Sequence, residues 1–520
     1  ERTVVFDCDP LPVLPDRLRG WLSSKTVVCH NACFDLAFLH RMEIHPKKVL
    51  DTMIMAGVIA AAEGEKGTKS LKALCEKYLG ETLSKEEQIA DWSGTLTTEM
   101  IRYAAKDARV LIPLHAQLQK KLTAFGMDEE AVNIFTDAIP AVVEAKQVGM
   151  PIDVAKTQEL RSRLQADAKS IEKELTLHYG CYGYTTANST QKIARVLHQA
   201  FGVEVEGTSQ DRLAQLALDS DDEELKTFSK GVLSARRLTK TATELEKYTQ
   251  SAVYGRIHAS YRLNGAISGR TTCSTPNLQQ VAKGASVEGS LSMGEIRGCF
   301  VAPVGYQFVV ADYSQIELVL NAVHCGDENM LNAFRNGADI HAHTAAKLYG
   351  KPIEAVSKAE RQVGKSANFG LQYGMGAERF QQYAKSYGIG FSIEEAVRIR
   401  RAWFQSYPSI AAHHSHVKSQ RPQTIRRVCG RVIHTTQFSD GLNLPIQGSG
   451  ADLLNRAIAI IHPRLEPFDA SLIAFIHDEL VVLAREGVAE GVATVVERGM
   501  RAAGREFYPD YQELIRCEVS

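Results

Sequence analysis

The sequence of 520 residues contains neither a long apolar run nor a paired-cysteine motif. No stretch of about 18 consecutive apolar residues occurs, and this excludes an ordinary transmembrane helix. The ten cysteines are scattered without a CxxC pair, and the spacing in CHNAC (Cys29, Cys33) does not suit a zinc knuckle. Repeats and low-complexity segments are also missing. We therefore expect no membrane association, and reduced thiols in a cytoplasm-like compartment.

Net charge is nearly absent as well, at −1 from 60 basic and 61 acidic residues. This excludes a uniformly basic nucleic-acid binder but allows a basic cleft on a near-neutral body. The length and a hydrophobic content of 44% predict a globular protein of several domains. We expect the HHSH cluster (His413, His414, His416) to be a solvated helix face. The acidic segment from Asp219 to Glu224 is also expected to be solvated. It precedes a cationic helical stretch, either a phosphate-contacting face or a solvated helix, with Lys226, Lys230, Arg236, Arg237, Lys240 and Lys247.

Two short segments combine apolar runs with carboxylates. They are VVADYSQIEL, with Asp312 and Glu317, and FIHDELVVL, with Asp478 and Glu479. The apolar runs are typical of buried strands, and a buried carboxylate is costly unless it is paired or binds a metal. If the two strands are neighbours, Asp312 and Asp478 can hold divalent cations for two-metal displacement at phosphorus. The alternative is that each acid is a surface residue at the end of a strand.

A stripe of mixed chemistry lies between these segments, in RQVGKSANFGLQYGMG. Arg361, Lys365, Phe369 and Tyr373 follow one another at i, i+4 spacing, and on a helix they share one slowly drifting face. Two cations suit phosphate oxygens, and two aromatic rings offer flat surfaces to a base or a sugar. The face is equally well explained as part of the core with a charged rim.

Taken in order, DYSQIEL, R-x3-K-x3-F-x3-YG and HDEL resemble the three polymerase motifs of the bacterial DNA polymerase I family (family A). Further collinear matches are SGRTTCSTPNLQQ, DIHAHTA and NLPIQGSGADL, so the resemblance covers nearly the whole chain. It implies an α/β and α+β multidomain fold, an RNase H-like exonuclease-type domain followed by a right-hand polymerase. The expected boundaries are 1–125 for the exonuclease-like domain, 126–265 for the thumb, 266–345 and 430–520 for the two parts of the palm, and 346–429 for the fingers.

The resemblance implies template-directed addition of dNTPs to a primer 3′-hydroxyl, with release of pyrophosphate, for DNA replication or repair. Asp312 and Asp478 would hold two Mg²⁺ ions, for which Mn²⁺ can substitute, and the Tyr313 carbonyl would be a further ligand. Glu479 is counted with this catalytic group. Lys365 is the candidate proton donor to pyrophosphate.

Further family positions imply contacts with the incoming nucleotide. Glu317 resembles the steric gate that excludes a ribose 2′-hydroxyl, and Phe369 in place of tyrosine implies discrimination against dideoxynucleotides. Tyr373 would stack at the insertion site. We reject a paired-histidine metal site at His341 and His343, because no cysteine or carboxylate supports it. The residues expected to bind the dNTP are Arg361, His341, Phe369, Tyr373, Glu317 and Gln315.

A third set is expected to contact the primer-template DNA. Polar donors that face the minor groove can check the geometry of every correct pair, because each pair offers acceptors at purine N3 and pyrimidine O2. Binding should then be independent of sequence and sensitive to salt. The resemblance implies this minor-groove role for Arg270, Asn277, Asn443 and Gln447, and Gln279 and His477 are also expected to bind DNA.

The N-terminal region resembles the second and third motifs of a proofreading 3′–5′ exonuclease, in HNACFDLAFL, LDTM and YAAKDA. Asp35, Tyr103 and Asp107 are its conditional site residues. The first motif, D-x-E, is expected to be missing, because Asp7 of FDCD lies too few residues before Asp35 for the family's β-meander. We therefore expect weak or absent proofreading in this chain, and both chain ends to be cut, including the end of the palm.

Two departures from the family and three rival functions remain. Val319 and Ser439 stand where the family often has arginine, so we expect altered primer-template grip or fidelity. The first rival is a single-subunit RNA polymerase, against which Glu317 and Phe369 argue. The second is a DNA-binding scaffold with an inactive site, against which the intact catalytic residues argue. The third is a protein in which nuclease activity dominates, against which the missing first exonuclease motif argues. The expected partners are primer-template DNA and dNTPs, with no membrane. We expect a monomer in a bacterial or virus-infected cytoplasm, with an organelle as the alternative.

Overall fold

The computed structural model describes residues 3–4, 14–65, 69–83, 96–281, 293–385 and 387–520. The strand expected in TVVFD, with Asp7 and Asp9, falls largely outside these residues.

The N-terminal region is a small α/β arrangement. Its elements are α1 (Asp16–Ser23), β1 (Thr26–Cys29), α2 (Ala32–Arg41), β2 (Lys48–Asp51), α3 (Thr52–Glu63), α4 (Leu71–Leu79) and α5 (Thr98–Ala124). Strands β1 and β2 pair in parallel, with Thr26 opposite Lys48, and α3 packs against α5. Helix α3 begins at Asp51, whose carboxylate accepts from the backbone N–H groups of Met53 and Ile54 and so caps the helix. The alternation of strands and helices predicted an α/β region here, and the described elements agree.

The next region is mainly helical. Its elements are α6 (Glu130–Thr136), α7 (Ile139–Val148), β3 (Met150–Pro151), α8 (Val154–Tyr179), α9 (Thr190–Phe201), α10 (Gln210–Asp219), α11 (Glu223–Ser251), β4 (Ala252–Val253), β5 (Arg256–Ile257), β6 (Ser260–Arg262), β7 (Thr272–Ser274) and α12 (Met293–Arg297). Helices α8 and α11 pack along each other. The far part of this pair has an apolar core of its own, built around Phe228 and Tyr184. It therefore forms a projection with separate packing.

The C-terminal region is built on an antiparallel sheet. Its elements are β8 (Tyr306–Tyr313), α13 (Ile316–Cys325), α14 (Glu328–Arg335), α15 (Ile340–Tyr349), α16 (Lys358–Leu371), α17 (Ala377–Lys385), α18 (Ile393–Ser406), α19 (Pro408–Ser419), β9 (Gln423–Arg426), β10 (Val432–Thr435), α20 (Phe438–Leu465), β11 (Ala470–Ile476), β12 (Glu479–Arg485), α21 (Ala489–Phe507) and β13 (Cys517–Val519). The sheet has four strands in the order β11-β12-β8-β13.

The burial of strand β8 alternates, and this decides which side chains face the site. Val309, Ala311 and Tyr313 are buried, and the Tyr313 hydroxyl donates to the carbonyl of Met500 in α21 at 2.9 Å. Because neighbouring side chains on a strand point to opposite faces, Asp312 lies on the face away from α21. The helices α13 to α19 leave the sheet after β8 and return to it through α20.

No helix among the described residues is long and apolar enough to cross a membrane. Every cysteine in the described ranges is a free thiol.

Candidate active site

Carboxylates from three strands lie side by side on one face of the sheet. Asp312 in β8 is directly opposite Glu479 in β12 and, on its other side, directly opposite Glu518 in β13. Directly opposed side chains in an antiparallel pair point to the same face, with Cβ atoms about 5 Å apart. Like charges at this distance repel, so the register places three acids where only cations or protons would stabilise all of them. Glu518 was not among the predicted residues.

The tight turn between β11 and β12 supplies a fourth acid. His477 and Asp478 form this turn, and His477 has a φ of 58°, which is uncommon for a residue other than glycine. The backbone N–H of Tyr313 donates to the carbonyl of Asp478 at 3.3 Å. That bond brings Asp478 to the end of β8, beside Asp312. The predicted meeting of the two acid-bearing segments is thus present in the structure.

The segment after β8 turns sharply into α13. Gln315 lies in the left-handed region, with φ 53°, and is the N-cap residue of α13. It is exposed, whereas Glu317 in the first turn of α13 is half-buried. Glu317 therefore follows the end of β8, which carries Asp312, after one short turn.

Glu317 is the centre of a polar network that joins three elements. One of its carboxylate oxygens accepts from Arg270 at 2.5 Å, and the other accepts from the hydroxyl of Tyr373. The amide of Gln447 in α20 is also hydrogen-bonded to Tyr373. Burial and the Glu317 carboxylate together raise the pKa of Tyr373, so the phenol stays protonated and donates. Arg270, Glu317, Tyr373 and Gln447 are therefore brought together.

Helix α16 carries the mixed stripe. Ser357 and Glu360 form a capping box at its start, and this fixes where the helix begins. Arg361, Lys365 and Phe369 lie on the helix and are half-buried, but α16 ends at Leu371. Tyr373 lies beyond that end, so the stripe leaves the helix at its last member.

Helix α15 lies against this stripe. Arg361 pairs with Asp339 at 2.6 Å, and Asp339 also caps α15 by accepting from the N–H of His341 at 3.0 Å. His341 is buried, its ring lies 5.7 Å from the Phe369 ring, and burial together with the nearby Arg361 charge lowers its pKa to about 4. The imidazole is therefore neutral at pH 7. Asp339 was missed from the sequence, although an aspartate directly before a helix is the usual N-cap signal.

Four of the residues predicted to contact DNA lie in two places, Asn277 and Gln279 in a short turn and Asn443 and Gln447 on helix α20. Asn277 caps a short 3-10 turn by accepting from the N–H of Gln279 at 2.9 Å, and the Gln279 amide donates to the carbonyl of Phe475 at 2.9 Å. These two side chains thus hydrogen-bond to the protein backbone and hold the turn against the end of β11. Asn443 and Gln447 are half-buried on one face of α20.

A cleft of about 710 Å³ lies between the sheet and helix α11. Arg237, Lys240 and His477 line it together with Arg236. The guanidinium of Arg236, however, donates to the carbonyl of Ala187 at 2.6 Å and to Thr208, so it fastens the helical projection. Of the cationic stretch, Arg237 and Lys240 line the open cleft.

The row of acids fits a hard divalent cation by its chemistry. Its donors are oxygens only, and Mg²⁺ is usually bound by one or two carboxylates with waters and substrate phosphates. Among the described residues, no group of three or more Asp, Glu, His or Cys is arranged so that it could hold a metal ion by itself. Such a site would therefore be completed by oxygens of the substrate.

The conditional exonuclease residues lie on two helices. Asp35 is on α2, and Tyr103 and Asp107 are on α5. Asp51 is almost fully buried and accepts from four backbone N–H groups, including that of Ala32 at 2.8 Å, so it serves the local fold. Burial lowers the pKa of His30, against the charges of Asp51 and Asp107.

One expectation about histidines was wrong. His414 is buried, with its ring nitrogen 3.0 Å from the carbonyl oxygen of Gln372. His413 packs edge-on against His324, with ring centroids 4.8 Å apart, and burial lowers the pKa of His413. Only His416 of the HHSH cluster is exposed, because α19 packs one of its faces against α13 and α20.

Comparisons with known proteins agree with this geometry. The model of DNA polymerase family A matches residues 154–508, and that of a 3′–5′ exonuclease matches residues 8–123. DNA polymerase I of Aquifex aeolicus is 31% identical over 97% of this chain and 89% of the relative. DNA polymerase I of Pseudomonas aeruginosa is 30% identical over 87% of this chain, which spans 51% of that relative.

A solved structure described as the POL domain of Pol1 from M. smegmatis, in complex with DNA primer-template and dNTP, has the same fold. Its TM-score is 0.80 at 22% identity, covering 97% of this chain and 87% of that chain. The chain belongs to DNA polymerase family A. The predicted fold class, an exonuclease-type domain followed by a family A polymerase domain, is confirmed.

Proposed function

We propose that this chain extends a DNA primer along a template by nucleotidyl transfer from dNTPs. The observation that carries the proposal is the register that sets Asp312 opposite Glu479, with Asp478 in the adjoining turn. The Pol1 structure with the same fold was solved with primer-template DNA and a dNTP, which supports the same partners for this chain.

Family A polymerases depend on divalent metal ions, and the acids described above fit them. We assign Asp312, Asp478 and the Tyr313 carbonyl to two Mg²⁺ ions, with Mn²⁺ as a substitute and Glu479 beside them. Two such ions would increase the acidity of the primer hydroxyl and neutralise charge at the transferred phosphate. Asp312 and Asp478 place two negative charges next to the position of the negatively charged triphosphate, so that cations are bound between them. Without cations, their repulsion would oppose substrate binding.

The cations of α16 are assigned to the triphosphate. The forked donors of Arg361 suit phosphate oxygens, and the compact ammonium group of Lys365 can give a proton to the leaving pyrophosphate. His341 is neutral at pH 7, so it can contribute a single hydrogen bond. Phe369, Tyr373 and Gln315 complete the set, with the two rings against the base and sugar.

Glu317 is assigned to the sugar gate. Its carboxylate is fixed from both sides by Arg270 and Tyr373, so the side chain cannot swing away when a ribose enters. Arg270, Asn277, Gln279, Asn443, Gln447 and His477 are assigned to the primer-template. A Glu317 side chain that is fixed in this position would exclude a ribose, which favours a DNA polymerase over the RNA polymerase alternative.

The same proposal extends to domains and assembly. We assign residues 126–265 to the thumb, 266–345 and 430–520 to the palm, 346–429 to the fingers, and 1–125 to an exonuclease-like domain with weak or absent proofreading. The separate core of the projection suits a thumb that moves as a unit. We propose that the chain works as a monomer in the cytoplasm.

Primer extension tests the function. A 5′-labelled primer on a DNA template would be incubated with Mg²⁺ and with dNTPs, rNTPs or no nucleotide. We expect extension with dNTPs only, and its loss in Asp478→Ala. The matched control is Glu486→Ala, which removes an exposed acid at the other end of β12 and should extend normally.

Each other outcome identifies a rival. Binding of the duplex without extension would support the scaffold, and equal use of rNTPs would support an RNA polymerase. Shortening of the primer without nucleotide would show an active exonuclease.

A further inference from the structure

The hairpin of β9 and β10 ends in a turn, residues 427–431 (RVCGR), in which Arg427, Cys429 and Arg431 are buried. Arg427 and Arg431 are 5% and 0% exposed, although arginine is rarely buried unless it is paired. The backbone of the segment is closed by the N–H of Arg427, which donates to the carbonyl of Arg431 at 2.7 Å. Two buried guanidinium groups in one tight turn require an explanation beyond packing.

Arg427 is bound to helix α20. Its Nη2 donates to Asp452 at 3.0 Å, and both side chains are almost fully buried. Its Nη1 donates to the carbonyl of Leu444 at 2.6 Å. A Cβ at Gly448 would overlap this guanidinium, so the glycine allows the close approach. Leu444 and Gly448 directly follow the two residues of α20 assigned to DNA, Asn443 and Gln447.

Arg431 is bound to a different element, the loop of residues 264–270. Its Nη2 donates to the carbonyl of Ile267 at 3.0 Å, and its guanidinium lies 5.1 Å from the centroid of the Phe135 ring. Gly269 has a φ of +90°, and a Cβ there would overlap Arg431. The next residue of this loop is Arg270, which donates to Glu317.

The two arginines thereby close a circuit of contacts. From Arg431 it runs through the loop to Arg270, Glu317, Tyr373 and Gln447. It returns along α20 to Arg427. We propose that Arg427 and Arg431 are positioning residues that hold Arg270 in register with Asn443 and Gln447, and so set discrimination at the primer terminus. This inference rests on the proposed function, because these three side chains are there assigned to DNA.

Stability alone does not account for the arrangement. The segment buries two guanidinium groups against one carboxylate, that of Asp452. The thiol of Cys429 donates to Asp452 at 3.1 Å, and burial together with the Asp452 charge raises its pKa to about 12, so it adds no negative charge. Buried ion pairs are often replaced by apolar residues without loss of stability. Specific positioning explains why both arginines are present.

The test compares single-turnover extension of matched and mismatched primer termini. We expect Arg431→Met and Arg427→Met to slow extension of a matched terminus by about 10–100-fold, because misplacement of positioning groups has effects of that size. A mismatched terminus already lacks the correct geometry, so its extension should change by less than about threefold. The control is Arg426→Met, in the same hairpin, whose guanidinium donates to the carbonyl of Gly126 at 3.1 Å and which should leave both rates unchanged.

An epistasis measurement separates positioning from general damage. If Arg431 acts through Arg270, then Arg270→Ala with Arg431→Met should discriminate no worse than Arg270→Ala alone. Where a methionine variant fails to fold, Arg431→Lys and Arg427→Lys keep the charge but lose the fork, and should show the same selective loss on a smaller scale.

The outcomes separate the two proposals. Equal slowing on both primers, additive losses, or behaviour like that of Arg426→Met would overturn the inference while the polymerase function stands. If the unmodified chain does not extend a matched primer, the proposed function itself fails.

Discussion

The two sets of acids in this chain are held by different kinds of structure. On the C-terminal sheet, Asp312 is fixed by the register of β8 with both neighbouring strands. In the N-terminal region, Asp35 and Asp107 lie on separate helices, α2 and α5, whose relative position depends on side-chain packing. A strand register cannot shift by one residue without turning every side chain to the opposite face. The sheet therefore holds its acids together by itself, and the helices do not.

The surroundings of two acids on helices, Glu317 in the C-terminal region and Asp35 in the N-terminal region, differ as well. Glu317 has a guanidinium at 2.5 Å, whereas the neighbours of Asp35 are the thiol of Cys29 and the carboxylate of Asp51. Burial, and to a lesser degree the Asp51 charge, raise the pKa of Asp35 to about 6, against a lowering by the Cys29 hydrogen bond. Burial likewise raises the pKa of Asp107, against the hydrogen bond from Tyr103. Asp35, which has no cation among these neighbours, is thus expected to destabilise the fold when it is ionised.

The largest expected effect is the difference between two variants that each remove one charge, Asp312→Asn on the sheet and Asp35→Asn in the N-terminal region. Asp312→Asn should slow primer extension by about three orders of magnitude or more, because stabilisation of several kcal/mol by bound metal is lost. Asp35→Asn should leave extension unchanged. Single-nucleotide extension in Mg²⁺ measures both.

The two variants have almost the same chemistry, so each is the control for the other. A comparable loss of extension in Asp35→Asn would show that the N-terminal acids contribute to synthesis, and the contrast between the regions would not hold. Binding of labelled duplex by Asp312→Asn would confirm that the variant is folded.

The sequence predicted the parts of the site that follow from local pattern. The apolar runs with Asp312 and Asp478 are strands and a turn, and the i, i+4 stripe is a helix as far as Leu371. Glu518 was not predicted, because the pairing of β13 with β8 is a long-range event. His413 and His414 were wrongly expected to be solvated for the same reason. Only the packing of α19 decides which of its faces is solvated.

Buried cations were the least predictable feature. Arg427 and Arg431 look like surface residues in a polar hairpin, since arginine is mostly exposed. Their burial depends on Gly448 and Gly269, which are distant in sequence and leave space for the side chains. A single sequence does not show that these glycines and arginines meet.

A smaller effect concerns the stability of the N-terminal region. The pKa of Asp35 in the folded chain is about 6, above its ordinary value of 3.8, so between these pH values the folded state binds more protons than the unfolded state. Stability contributed by this group is therefore lost as the pH rises from about 4 to 6. A shift of about two units corresponds to about 3 kcal/mol at most. Asp35→Asn should recover that amount at pH 8 and nothing at pH 4.

Hydrogen exchange of amides in α2 and α3 measures this difference without requiring the whole chain to unfold at once. The experiment is done in EDTA, so that no metal stabilises the ionised form. Glu76→Gln, an exposed acid on α4, should show no comparable gain. Equal protection of Asp35→Asn and the unmodified chain at pH 8 would mean that Asp35 is not penalised by its surroundings.

The smallest expected effect concerns Glu317, an acid that is paired with Arg270 and Tyr373 and so contrasts with Asp35. Glu317→Ala should raise the use of rNTPs relative to dNTPs by about 10–200-fold, because the loss of a steric contact changes discrimination by about 1–3 kcal/mol. Glu317→Gln keeps the volume and should retain most of the discrimination while weakening the pair with Arg270. Competition between one rNTP and its dNTP at a single template position measures the ratio. If Glu317→Gln and Glu317→Ala discriminate equally poorly between rNTP and dNTP, the charge of Glu317 is required for discrimination. If only Glu317→Ala discriminates poorly, Glu317 acts by its bulk, and its pairing with Arg270 and Tyr373 serves to keep that bulk in place.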